Sequence, residues 1–304
     1  MAIRPFKELA CPLDGEPLVQ EANTWRCTQG HSFDIARQGY VNLLPVQNKR
    51  SRDPGDSKTM IVARQEFLVA GFYQPIADAV AGVVLSGADP SAELSCLDAG
   101  CGEGYYLRQL VAHSGSAYSG ASHSGASHSG AGQALNLMGL DISKWAVQAA
   151  ARQDKQVTWA VGNNANLPVL SATLDYVLCM FGFPVYGEFL RVLKPGGKLL
   201  MVDAGADHLR ELREIIYPTL KAARPPQTQP PAGFTQGETQ QLRFTVHLPD
   251  AQQISNLLIM TPHLYRASAE GRAKAEQLTE LTVTVDVRLS KLVKAQHAAD
   301  PNQQ

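Results

Sequence analysis

The sequence predicts an α/β domain of the doubly wound kind behind a small metal-binding module. Three observations predict it. From Leu94 onward, short apolar runs ending in Gly, Asp or Asn alternate with helical apolar spacing. The first of these runs, "LSCLDAGCGEG", leads straight into a glycine-rich loop and then a helix. Ahead of them, "CPLDGEPLVQEANTWRCTQGH" places Cys11, Asp14, Cys27 and His31 at the spacing of a metal knuckle, with an aspartate where a second cysteine would complete the first pair.

The 304 residues are 44% hydrophobic and 18% charged, enough for one large domain and a small appendage. A net charge of −1 excludes a polycation that coats nucleic acid, so any such contact must come from local patches. The five cysteines, Cys11, Cys27, Cys96, Cys101 and Cys179, are odd in number and scattered. They argue against a disulfide framework and for a reducing compartment. "MAIRPFKELACPLDG" has no apolar leader, and no stretch reaches the roughly 18 apolar residues of a membrane span. The expectation is a cytoplasmic protein with no membrane partner.

Residues 1–46 hold the knuckle and too little apolar periodicity for a core of their own. Residues 47–58, "QNKRSRDPGDSK", read as a basic linker with a Pro-Gly turn, in which Lys49, Arg50, Arg52 and Lys58 suit phosphate contacts. The main domain spans 59–295. It opens with two helices in "TMIVARQEFLVAGFYQPIADAVAGVVL", broken at Gly71 and Pro75. Strands follow in "LSCLDAG", "LNLMGLDIS", "VTWAVG", "LDYVLCMFG" and "GGKLLMVDAG", with a helix in "KWAVQAAARQ". Two late strands, "RFTVHLP" and "LTVTVDVRLSKL", flank a helix in "DAQQISNLLIM" and give the sheet an antiparallel end. Residues 113–132, with a near-tandem GASHS repeat, read as a flexible insertion on a surface loop, and 296–304 as a disordered tail.

The glycine loop carries the chemistry. Gly100, Gly102 and Gly104 let the backbone turn tightly and approach a ligand closely. No G-x-x-x-x-G-K-[ST] is present, which excludes a P-loop. Asp98 and Glu103 would repel a pyrophosphate but suit a ligand with an amino group and a sulfonium, such as S-adenosylmethionine. A second acid is needed to hold ribose hydroxyls. Asp141 lies 43 residues after Asp98, and with the 19-residue stretch Ser114–Gly132 set aside the separation falls to 24, near the ~20 expected. The other reading of Asp141 is a helix N-cap, a role that Ser143 can fill instead.

In order, "LDAGCGEG", "GLDIS", "VGNNANLP", "LDYVLCMFG" and "VLKPGGKLLMV" resemble the class I S-adenosylmethionine-dependent methyltransferases. That resemblance implies a Rossmann-like, mostly parallel seven-stranded sheet with helices on both faces, and adenine contacts at Asn163 and Asn164. The segments "CPLD…WRCTQGHSFDIARQGYVNLLPVQNKRSRDPGDS", "GFYQPIADAV", "DAGADHLRELREIIY" and "LLIMTPHLYRA" resemble the bacterial 23S rRNA (guanine-N1-)-methyltransferases, which carry a zinc-ribbon-like module ahead of that domain. The resemblance covers nearly the whole chain. It implies that Tyr73 and His208 join Gly102 and Glu103 around the cofactor, that Cys11, Asp14, Cys27 and His31 hold a structural zinc, and that the substrate is a guanine N1 in a hairpin loop of 23S ribosomal RNA. A homodimer is compatible with it.

No general base is identified by the sequence. Asp203, Asp207, His208, Tyr186 and Glu188 all fall near the expected rim of the sheet. Two other readings use the same residues: a methyltransferase for a small molecule, with the module as a lid, and a non-catalytic RNA-binding protein with a methyltransferase fold.

Overall fold

The computed structural model describes residues 1–48, 51, 53–86, 93–119, 134–220 and 229–296. Lys49, Arg50 and Arg52 of the basic linker, most of the GASHS repeat and nearly all of the tail lie outside these residues.

The first strands belong to the N-terminal segment: β1 (Ala2–Pro5), β2 (Val19–Glu21), β3 (Thr24–Arg26), β4 (Ser32–Asp34) and β5 (Tyr40–Asn42). Helices α1 (Lys58–Val69) and α2 (Gln74–Ser86) follow, at 81° to each other. Gly71, with φ +83°, makes that break; Pro75 does not interrupt a helix but sits in the first turn of α2, where its missing N–H costs nothing. The alternating part comprises β6 (Leu94–Ala99), α3 (Tyr105–Ser119), β7 (Ala134–Asp141), α4 (Lys144–Gln153), β8 (Thr158–Val161), β9 (Leu174–Met180), α5 (Tyr186–Val192) and β10 (Leu193–Ala204). The chain closes with α6 (Arg210–Ile216), β11 (Phe234–Leu248), α7 (Ala251–Ile259), α8 (His263–Arg266), α9 (Ala269–Glu276) and β12 (Leu281–Lys294). Helix α3 runs into the low-complexity stretch as far as Ser119 before the chain leaves the described residues.

Seven strands make the predicted sheet in the order β11-β12-β10-β9-β6-β7-β8; all run in one direction except β12, which is antiparallel to both of its neighbours, β10 and β11. Two more strands come from the N-terminal segment. β5 pairs in parallel with β8 at the edge, and β1 pairs in parallel with Ala134–Leu137 of β7, ahead of the point where β8 takes over that edge. The strand order reverses between β6 and β9, so the crevice for a ligand lies above the carboxyl ends of those two strands.

The sheet is covered differently on its two faces. One face packs against α1–α4, α6, α7 and α9 through residues such as Phe67, Ile76, Leu107, Val147 and Leu257. On the other face, α5 shares the work with the N-terminal module: Phe6, Leu9, Leu18 and Trp25 form one buried cluster with Leu97, Met138, Val177 and Leu199. A segment too short for its own core thus completes that of its neighbour. No single helix among the described residues is long and apolar enough to cross a membrane.

Close approach explains one glycine of the loop. Gly104 has φ +84°, and a Cβ there would stand 2.4 Å from Trp159 Cη2. Gly104→Ala should therefore cost about 2–4 kcal/mol from backbone strain and overpacking together, read as a lower urea midpoint at unchanged slope. A midpoint equal to wild type would mean that Trp159 can move aside.

Candidate active site and metal centre

Asp98, next to last in β6, has no exposed surface, and neither of its carboxylate oxygens has a hydrogen-bond partner. Burial, reinforced by the nearby Asp141 carboxylate, pushes it up to about 8. Two more buried oxygens in the crevice are orphaned: Oε1 of Glu103 and Oδ1 of Asn164. Buried acceptors without donors are costly unless a ligand supplies the donors. A ligand bearing an amino group and hydroxyls would supply such donors.

The glycine loop is fixed from below and beside. Gly100 and Cys101 donate to Leu140 O at 2.8 and 3.0 Å, and Gly102 N donates to Asp141 Oδ2 at 2.9 Å. Asp141 also accepts from Ser143 N at 2.7 Å, while Ser143 Oγ caps α4. Burial raises the Asp141 carboxyl against the pull of those two N–H groups. Asp141 is therefore a bridge from β7 to the loop, and the cap role belongs to Ser143. Glu103 is held by Arg108 at 2.6 Å and by Gln153 Nε2 at 3.2 Å through its other oxygen, Oε2.

Asn163 and Asn164 follow β8 and differ in what they do. Asn163 Oδ1 accepts from Ala165 N and closes its own turn. Asn164 reaches Ala99 O at the mouth of the glycine loop. Tyr73 and His208 meet across the crevice, Oη to Nε2 at 3.3 Å. Asp286 N donates to His208 Nδ1, so in the neutral ring Nε2 carries the proton and gives it to Tyr73. Burial, with His263 nearby, lowers His208 to about 4 and keeps it neutral.

The linker contributes residues that sequence reasoning did not single out. Gly55 lies against Ile142 and Ser143, Ser143 Oγ donates to Asp56 O, and Asp56 pairs with Arg64 at 2.5 Å. Arg64 in turn lies beside Gly102. Lys58, expected to meet phosphate, stands 4.0 Å above the Trp145 ring. The only signal for this packing was "DPGD", a turn with two acids.

The rim candidates separate by their partners. Asp207 is ion-paired with Arg243 and Arg210, and Glu188 with Arg191, so both carboxyls are held low. Tyr186 is raised by burial and then by Asp203. Asp203, at the end of β10, is raised by burial against the pull of Arg288. It is the one of these three carboxylates whose proton affinity is increased.

At the other centre, the ligand atoms of Cys11, Asp14, Cys27 and His31 all lie within 4.8 Å of one another. Cys11 Sγ and Cys27 Sγ are 3.5 and 3.4 Å from His31 Nδ1, Cys27 Sγ is 3.4 Å from Asp14 Oδ2, and Asp14 Oδ2 is 2.8 Å from His31 Nδ1. Tetrahedral zinc implies edges of about 3.6 Å for S···N and about 3.3 Å for N···O. The donor set fits, drawn slightly tight on the Asp14–His31 edge. Burial pushes the Cys11 thiol up to about 11. At Asp14, burial is outweighed by hydrogen bonds from Glu16 N and from the three other ligands, which bring it to about 2. The aspartate is therefore ionised and ready as a ligand.

Known proteins match both parts. Residues 9–52 match the zinc-ribbon family described as RlmA, N-terminal, and residues 90–245 match a methyltransferase domain. A Bacillus subtilis protein provisionally named as a 23S rRNA (guanine-N(1)-)-methyltransferase is 30% identical over 290 residues, 93% of this chain and 95% of that one. The Streptomyces fradiae 23S rRNA (guanine(748)-N(1))-methyltransferase is 34% identical over 209 residues, 68% of this chain and 67% of that one. Fold and site define a class I S-adenosylmethionine-dependent methyltransferase fronted by a zinc ribbon. Within that class, the chain belongs to the 23S rRNA (guanine-N1-)-methyltransferase family.

Proposed function

We propose that the protein methylates N1 of a guanine in a hairpin loop of 23S ribosomal RNA, with S-adenosylmethionine in the crevice above β6 and β9. The observation that carries the reading is the joint between the two centres. Ala10 N donates to Pro168 O at 3.1 Å, Leu170 N to Glu8 O at 3.0 Å, and Asn166 Nδ2 to Pro12 O at 3.2 Å. The metal module is thus bonded to the loop that continues from Asn163 and Asn164, so RNA held by the module would be presented beside the cofactor. The names of the relatives agree with this reading.

In it, Asp98 and Glu103 receive the amino end of the cofactor, Asp141 the ribose hydroxyls, and Asn163 and Asn164 the adenine. Gly100, Gly102 and Gly104 permit the close approach, with Tyr73 and His208 closing the far side. The cofactor supplies a methyl group on a sulfonium, already activated for in-line displacement. The chain's part is positioning. The N1 proton must leave as the new bond forms, to a rim base or to water. His208 is unsuited to take it, because Nε2 already bears a proton and Nδ1 is occupied. With this function go a cytoplasmic location, no membrane partner, and a homodimer as the assembly to measure.

Labelled S-adenosylmethionine offered together with large-subunit rRNA and a small-molecule extract tests the substrate class. Label should enter the RNA. Label in metabolites alone would favour the small-molecule reading, and no turnover despite cofactor binding would favour a non-catalytic RNA binder.

A further inference from the structure

Phe181 is the first residue beyond β9 and has φ +52°, a left-handed conformation that is a genuine outlier for a bulky side chain. Strain of this kind costs about 1–3 kcal/mol and persists only where the surroundings enforce it. Here they do. Phe181 N donates to Val202 O at 2.8 Å, the last bond of the β9–β10 ladder, and Gly182 leaves only 3.1 Å between a would-be Cβ and Cys179 Sγ.

The strained backbone aims the ring. One side of it rests on Tyr73, stacked at 6.0 Å and 29°, and on His208 at 5.7 Å and 31°. Phe181 as a residue is nevertheless 39% exposed, and Phe183 two residues on is 89% exposed. Two large aromatics facing water are expensive unless something covers them. Their position says what could. Leu178 lies beside Asp98 in the sheet, and Phe181 is three residues further toward the rim, about 10 Å along the strand. An aromatic face thus opens at the crevice mouth, beside the place where the methyl group would be delivered.

We propose that Phe181 is the stacking surface for the target guanine, its open ring face carrying the extruded base while Tyr73 and His208 support the ring from behind. The inference rests on the function proposed above. A base taken out of its helix loses two stacking neighbours, and an aromatic ring restores one of them. This also gives the Tyr73–His208 pair a second purpose: it sets the plane of Phe181 as well as bordering the cofactor.

Phe181→Leu keeps the apolar bulk and removes the ring; Phe181→Tyr and Phe181→Trp keep a ring. With rRNA as substrate, the leucine variant should lose about 10–100-fold in kcat/KM, the range that base–aromatic stacking spans. S-Adenosylmethionine affinity should stay within about twofold of wild type, and the two aromatic variants should retain activity. Leucine equal to wild type overturns the proposal. So does a leucine variant that loses cofactor affinity in step with activity, which would make Phe181 a wall of the cofactor pocket. A wild type that does not methylate rRNA overturns the function itself, and the stacking role with it.

Discussion

Asp98→Asn is expected to raise the dissociation constant for S-adenosylmethionine by two orders of magnitude or more, while making the cofactor-free protein more stable above neutral pH. Both effects come from the same two unpartnered oxygens. Each charge-assisted hydrogen bond from the cofactor's ammonium is worth about 1.5–3 kcal/mol, and asparagine keeps the shape of the side chain without its charge. The stability effect follows from linkage. The carboxyl sits at about 8 in the folded protein against an ordinary aspartate value of 3.8. Between those values the folded state binds the extra proton, so its stability falls as pH rises through the window and levels off above it. The variant lacks that decline. Thermal melts from pH 5 to 9 and calorimetric titration with the cofactor check both halves. Wild-type protein near pH 7 should also release protons as the cofactor binds, visible as a dependence of the binding heat on buffer, and the variant should not. Undiminished cofactor affinity in Asp98→Asn would contradict the assignment.

Removing the metal should weaken more than the ribbon. Asp14→Ala deletes one of four ligands, and strong chelation of the wild type removes the ion. In both cases the cluster of Phe6, Leu9, Leu18 and Trp25 loses its clamp, although it covers one face of the main sheet. The bonds from Ala10, Glu8 and Pro12 to the Asn166–Leu170 loop would loosen with it. The expected result is a lower melting temperature together with weaker cofactor binding, because the loop after Asn163 and Asn164 is bonded to the module. Asp14→Cys should hold zinc against stronger chelators, since thiolate suits it better than carboxylate. Metal analysis decides the matter: one zinc per chain in the wild type is expected. No zinc in the wild type with stoichiometric zinc in Asp14→Cys would mean that the aspartate has cost the site its ion.

The legible parts of this protein are those written in local pattern. The strands β6 to β10 are apolar runs ended by turn residues, the glycine loop follows a buried acid, and the knuckle announces its four ligands by spacing. What could not be read depends on distant partners. β1 and β5 are only four and three residues long, and nothing in "AIRP" or "YVN" says that they extend a sheet whose other strands lie far along the chain. The short helices α5, α6, α8 and α9 carry too few turns for a periodic signal. The linker reads as a basic arm because its charges stand out, whereas Gly55 and Asp56 are packed on Ile142, Ser143 and Arg64. The division of labour between Asn163 and Asn164, and the left-handed turn at Phe181, are set by neighbours that only the fold supplies.

The identity of the modified base distinguishes guanine-N1 methylation from every other methyl transfer. Unmethylated 23S rRNA incubated with the wild-type protein and S-adenosylmethionine would be digested to nucleosides and read by mass spectrometry, with reverse transcription of a parallel sample to locate the site. The expected product is 1-methylguanosine, with a single strong transcription stop in a hairpin loop, because a methyl on N1 blocks the pairing edge of the base. Methylation at an exocyclic amine, a ribose or another base, or a digest without any methylated nucleoside, would contradict it.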